Sequence, residues 1–265
     1  MPQDHEILRE VWDGKIPVEF SLSTTDLEVS EQPKPFYMLV SRLSYFPLVM
    51  EKVTKYFNSF ITTEEIEEPW LDYQGIPLKW HYPIGVLFDL FKIGEILPWQ
   101  ITVNFKNFPL GELINYHGRD SVESHFMQTI KEADQLKHKA EIINGMQKID
   151  HKQLWNGFAN ERFDQFWSVN KKLMENDSNE PMRFVPCRIY QADKPYLQKL
   201  CKPIKDSGER ATLEEFINST RIPVDHTKYL VTVQGIDIPF ETPMLWLCEN
   251  MSHPDNFVHI CIVKR

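Results

Sequence analysis

Apolar positions recur along this chain in two rhythms, a period of two and a period near 3.6, and these predict its elements. Ile7, Leu8, Val11 and Trp12 mark a short amphipathic helix stopped at Gly14, after which Ile16 to Leu22 alternate as a strand. Phe36 to Val40 reads as a second strand. Leu48, Val49, Val53, Tyr56 and Phe57 then give one apolar face to a helix running from Leu48 to Phe60. Strands over Trp70 to Tyr73 and Leu78 to Trp80, a helix after Pro83 and a strand over Ile101 to Phe105 complete the first third. The last third repeats the plan: strands over Phe184 to Tyr190 and Tyr196 to Cys201, a helix from Leu213 to Asn218, a strand over Tyr229 to Val233, a helix after Pro243, and a strand over Phe257 to Val263.

The repetition is visible in the residues. Gln74-Gly75-Ile76 is followed by Pro83, and Gln234-Gly235-Ile236 by Pro243 at the same spacing, 160 positions later. Proline at a helix start fits both places, because its missing N–H has no partner there in any case. Two strands, a helix, two strands, a helix and a strand is the order of a ubiquitin-like β-grasp domain. The predicted fold class is therefore α+β, two such domains flanking a helix-rich middle. The boundaries are an N-terminal helix over 1–14, a first ubiquitin-like domain over 15–108, a helix-rich domain over 119–177 and a second ubiquitin-like domain over 182–265.

No proline occurs from Leu110 to Glu180, although the chain has 18. On a wheel of 100° per residue, Val122, Phe126, Ile130, Ala133, Leu136 and Ala140 fall within about 120° of arc, one core-facing stripe. Leu154 to Met174, read as a second helix, spreads Trp155, Phe158, Phe163, Phe166, Trp167 and Val169 over more than half its wheel. Burial on several sides follows, and the expectation is a helix wedged between the two β-grasp domains.

Composition narrows the functional classes. The 265 residues are 42% hydrophobic and 12% aromatic, enough for real cores, and the net charge of −9 gives no general attraction to nucleic acid or anionic lipid. The N-terminus is polar and acidic, unlike a secretory signal, and no apolar run spans a membrane, so a cytosolic, soluble protein is expected. Cys187, Cys201, Cys248 and Cys261 lack metal-ligand or CxxC spacing and read as free thiols. His253, His259 and Cys261 are close in sequence, but packing explains them without a metal, and none is expected. No GxSxG, GxGxxG, P-loop or HExxH string is present, so neither a cofactor nor a catalytic motif is indicated. A scattered catalytic site remains one alternative reading.

Lys131 lies about 180° from Val122 on the wheel, the most outward lysine of its helix, whereas Lys137 falls at about 60° and Lys139 at about 260°. On its own it is a solvated charge on a solvated face. It also meets the needs of an acceptor amine, which are exposure and a fixed position, with base and activated ester coming from a partner enzyme. Arg42, just after a strand, is a candidate partner or membrane contact, and Lys137-His138-Lys139 a candidate for lipid headgroups.

Longer strings carry a resemblance. Leu78-Lys79-Trp80-His81-Tyr82-Pro83-Ile84-Gly85, Met127-Gln128-Thr129-Ile130-Lys131-Glu132-Ala133-Asp134, Asp150-His151-Lys152-Gln153-Leu154-Trp155, Arg162-Phe163-Asp164-Gln165-Phe166-Trp167 and Pro254-Asp255-Asn256-Phe257 closely resemble the autophagy protein five family across essentially the whole chain. The resemblance implies a non-catalytic scaffold of autophagosome assembly. In that family the lysine matching Lys131 receives the C-terminal glycine of the ubiquitin-like autophagy protein twelve by isopeptide bond, through E1-like protein seven and E2-like protein ten. The conjugate binds the coiled-coil autophagy protein sixteen and promotes transfer of the ubiquitin-like protein eight by E2-like protein three to phosphatidylethanolamine. Recruitment from the cytoplasm to the isolation membrane, as a peripheral complex, is implied with it. A β-grasp adaptor that only recruits a helical partner, without covalent modification, is the alternative.

Overall fold

The computed structural model describes residues 4–23, 33–61, 67–91, 96–174, 182–192, 194–225 and 227–265. The chain divides into two compact units, Gly14–Val122 and a second made of Met1–Asp13 with Glu123–Arg265. Helix α1 (His5–Asp13) opens the chain and belongs to the latter.

In the Gly14–Val122 unit, β1 (Lys15–Leu22), β2 (Phe36–Ser41), α2 (Phe46–Asn58), β3 (Trp70–Tyr73), β4 (Ile76–Pro77), α3 (Ile84–Phe91) and β5 (Trp99–Asn104) follow in sequence. They form a sheet of order β2-β1-β5-β3-β4 with β1 and β5 parallel at its centre and the other pairs antiparallel. This is the β-grasp arrangement. Alternation along β1 buries Ile16, Val18, Phe20 and Leu22 on one face. Helix α2 buries Phe46, Val49, Met50, Val53 and Phe57, and the Phe46 ring meets Phe20 at 6.4 Å and Trp99 at 5.9 Å. Gln74 and Gly75 turn β3 into β4 with φ of 52° and 81°, a left-handed pair that glycine makes inexpensive. One expected strand is absent. Leu78 to Trp80 lies beyond β4, where Leu78 N–H still donates to Leu71 O at 2.8 Å but the ladder has ended.

The second unit holds helices α4 (Arg119–His138, from Glu123 onward), α5 (Glu141–Gly145), α6 (Lys148–Ala159) and α7 (Phe163–Met174), followed by β6 (Cys187–Gln191), β7 (Lys194–Gln198), α8 (Leu213–Ser219), β8 (Tyr229–Val233), β9 (Ile236–Asp237), α9 (Met244–Met251) and β10 (Val258–Lys264). The sheet order β7-β6-β10-β8-β9, with β6 and β10 parallel, repeats the first. Gln234 and Gly235 repeat the turn, with φ of 54° and 79°. Pro243 caps α9 from just outside it rather than filling its first turn.

Two helix readings are corrected. The helix expected from Leu154 to Met174 is broken at Asn160–Arg162, where Glu161 takes φ 54°, and the wide wheel was the superposition of two faces. Helices α6 and α7 approach closely at Gly157, where a Cβ would stand 2.6 Å from Phe166 N. The α4 stripe ends at His138, since Lys139 and Ala140 are both left-handed, at φ 57° and 61°. Helix α7 buries Phe163, Phe166, Trp167, Val169, Leu173 and Met174, and Trp12 of α1 covers Phe163 and Phe166 at 5.5 and 5.2 Å between ring centres. All four cysteines are buried free thiols.

Candidate functional site

Helix α4 displays the residue singled out from the sequence. Asp120 in its first turn and Lys137 and His138 in its last suit the helix dipole. Phe126, Ile130 and Ala133 are fully buried, and the Phe126 ring stacks on Phe158 at 4.2 Å with an interplanar angle of 3°. With that stripe inward, Lys131 points to solvent, and no described residue engages its Nζ.

The residues around Lys131 are less free. Glu132 Oε2 accepts from Arg188 Nη2 of β6 at 3.0 Å. Arg188 is buried, with its guanidinium 4.0 Å from the Phe257 ring and 4.9 Å from the Tyr196 ring. Lys137 corrects the lipid reading: its side chain is 1% exposed, and its Nζ donates to Asn256 Oδ1 at 2.6 Å and to Leu173 O at 2.7 Å. Burial lowers its pKa to about 8, against the opposing fields of Cys248, Asp134 and Asp255. Asn256 reaches Asn170 as well, at 2.7 Å, so one amide bridges α4 and α7. His138 Nδ1 pairs with the buried Asp134 carboxylate at 2.8 Å. Of the Lys137-His138-Lys139 run, only Lys139 is well exposed.

Arg42, expected as a partner or membrane contact, is largely enclosed rather than freely solvated. Its side chain is 14% exposed, and Nη2 donates to both Asp89 oxygens at 2.7 and 2.6 Å beside the Phe88 ring. The guanidinium ties the end of β2 to α3, which is a packing role.

The metal question shifts to a different trio. His253, Asp255 and His259 are buried with candidate ligand atoms all within 4.8 Å of one another, whereas Cys261 does not belong to the group. Hydrogen bonds occupy these atoms: His259 Nε2 meets Asp255 Oδ2 at 3.0 Å, His259 Nδ1 meets the Tyr190 hydroxyl at 2.7 Å, and Asp255 N–H donates to His253 Nδ1 at 3.2 Å. Burial lowers His259 to about 4, holding it neutral. Burial also opposes the Asp255 charge, but His259, His253 and their hydrogen bonds hold that carboxyl well below its usual range. Two clefts of about 410 and 400 Å³ open on the Gly14–Val122 unit, one beside Glu19 and Gln100, the other between α2 and Tyr116. Lys137, Asp255 and His259 line neither of these two clefts.

Sequence reasoning missed Glu132, Arg188 and Asn256 because their contacts bridge 56 and 119 positions. One signal was available: Lys137 sat within the inward half of its own wheel.

Comparison with known proteins is consistent along the chain. Family profiles described as "Autophagy protein ATG5, UblA domain", "Autophagy protein ATG5, alpha-helical bundle region" and "Autophagy protein ATG5, UblB domain" match residues 11–105, 119–176 and 184–262. Autophagy protein 5 of Drosophila melanogaster is 43% identical, covering 99% of this chain and 98% of that protein. Autophagy-related protein 5 of Caenorhabditis elegans is 35% identical, covering 98% of each. The crystal structure of Kluyveromyces marxianus Atg5 shares the fold with a TM-score of 0.86 at 22% identity, covering 97% of this chain and 99% of its own.

Proposed function

Because this chain belongs to the autophagy protein 5 family, we propose that it acts in autophagy as a non-catalytic acceptor, taking a ubiquitin-like modifier on Lys131. By family resemblance the modifier is autophagy protein twelve, delivered by E1-like protein seven and E2-like protein ten. Nζ of Lys131 attacks the thioester carbonyl of the modifier's C-terminal glycine. The C–N isopeptide bond forms, the C–S bond to the carrier cysteine breaks, the thiolate leaves, and the amine proton passes to a base supplied by the carrier or to water. The conjugate then binds a helix of autophagy protein sixteen and stimulates E2-like protein three to pass a second modifier to phosphatidylethanolamine at the isolation membrane.

The single observation carrying this reading is the exposed amine of Lys131, unengaged among the described residues, on a helix whose opposite face is packed. Among the described residues no helix is long and apolar enough to cross a membrane, so membrane arrival is assigned to the assembled complex. Lys131→Arg keeps charge and helix propensity while removing the attacking amine. The expected result is loss of the heavier conjugate band on a denaturing gel with the partner helix still bound. A conjugate band that persists in Lys131→Arg overturns the assignment and favours the purely non-covalent adaptor.

A further inference from the structure

Helix α4 is fastened to the second β-grasp domain at two points close to Lys131. Glu132, the next residue, meets Arg188 at 3.0 Å, and the Arg188 side chain is only 6% exposed, wedged against Phe257 and Tyr196 with its Nε donating to Gln198 Oε1 at 3.1 Å. Five residues on, Lys137 is bonded to Asn256 in the turn before β10. At 1.5 Å of rise per residue the two anchors stand roughly 7–8 Å apart along the helix. Two anchors oppose both sliding and rolling of α4 against the β6 and β10 side of the sheet, and so favour one direction for Lys131.

A fixed direction matters for transfer to an amine. Attack on a thioester needs the nitrogen about 3–3.5 Å from the carbonyl carbon along one approach line, and a nucleophile already held there loses less freedom on the way. We infer that Glu132 and Arg188 are a positioning pair for Lys131, holding the acceptor turn of α4 against β6 so that its amine meets the incoming thioester in register. This inference rests on the acceptor reading of Lys131. It adds residues beyond the acceptor itself. The Glu132 side chain is 45% exposed, and without it Arg188 keeps Gln198 and the two ring faces, so Glu132→Ala is expected to cost little folding stability and the two roles are separable.

The test uses the full chain as wild type, Glu132→Ala, Glu132→Gln and Lys131→Arg. Each is offered the modifier preloaded as a thioester on its carrier enzyme, in single-turnover reactions over a range of chain concentrations, with thermal unfolding measured alongside. Glu132→Ala is expected to lower the maximal transfer rate about three- to tenfold, with the half-saturating concentration and the unfolding temperature unchanged. Glu132→Gln, which still accepts from Arg188, is expected to recover most of the rate. A Glu132→Ala chain that transfers at the wild-type maximal rate overturns the inference. So does a rate loss that tracks lost thermal stability, or one confined to a raised half-saturating concentration, which would make Glu132 a carrier contact. Residual conjugate on Lys131→Arg instead overturns the acceptor reading itself, and so separates the two failures.

Discussion

Nζ of Lys137 lies 2.6 Å from Oδ1 of Asn256, a contact that spans 119 positions of sequence and draws α4 onto the turn leading into β10. Asn256 holds a left-handed backbone there, at φ 70°, a conformation that asparagine tolerates better than most residues. The amide is thereby aimed inward at both Lys137 and Asn170.

Replacing this lysine by an apolar residue of similar shape tests the contact. Lys137→Met deprives Asn256 Oδ1 and Leu173 O of their donor, and a loss of about 1–3 kcal/mol in denaturant unfolding is expected. The pH dependence has a definite sign. The folded-state pKa is lowered to about 8 from an ordinary 10.5, so between these values the unfolded chain binds more protons and this group makes stability climb with pH. Below about 8 both states are protonated and the slope vanishes. Wild type minus Lys137→Met, measured from pH 7 to 10.5, should therefore rise by roughly 1.4 kcal/mol per unit in that window. A flat difference would mean that the amine is not desolvated.

Gly157 is a glycine in the last turn of α6, where alanine would ordinarily add up to about 1 kcal/mol of helix propensity. Its Cβ would meet Phe166 N at 2.6 Å and Phe166 Cα at 2.7 Å, and backbone cannot swing aside. Gly157→Ala is expected to destabilise by about 1–3 kcal/mol despite the propensity gain. Gly145→Ala, where a Cβ meets nothing within 4 Å, serves as the control and should not destabilise. Equal melting temperatures for the two variants would refute the close crossing of α6 and α7.

Arg42 separates a packing role from a surface contact. Arg42→Ala takes the cation from Asp89, whose side chain is 10% exposed, and a loss of about 2–3 kcal/mol is expected in thermal or chemical unfolding. A residue serving only a partner or a membrane would leave the isolated chain's unfolding unchanged.

Much of the architecture was legible. Alternation from Ile16 to Leu22 and the duplicated Gln-Gly-Ile turns follow from chemistry local to each segment: a period of two needs one buried face, and a tight turn needs left-handed backbone at two adjacent positions. The outward placement of Lys131 followed in the same way, from the stripe opposite it. Misreadings arose where a local pattern stopped short of its cause. A run of aromatics from Leu154 to Met174 looked like one helix with a wide face, since no proline or glycine marks Glu161 as the break. Leu78 to Trp80 has strand-like residues, yet β4 ends before them.

Polar side chains divide along the same line. Lys131, Lys137 and Arg42 are alike in kind as charged, flexible chains, and composition cannot rank their burial. The sequence by itself determined two β-grasp domains, a helical middle and an outward amine, because periodicity and turn chemistry act over a few residues. Only the tertiary structure decided that Lys137 and Arg188 are enclosed, that Asp89 holds Arg42 and that Glu132 meets Arg188. Those fates depend on which distant groups arrive to replace the water that each charge gives up.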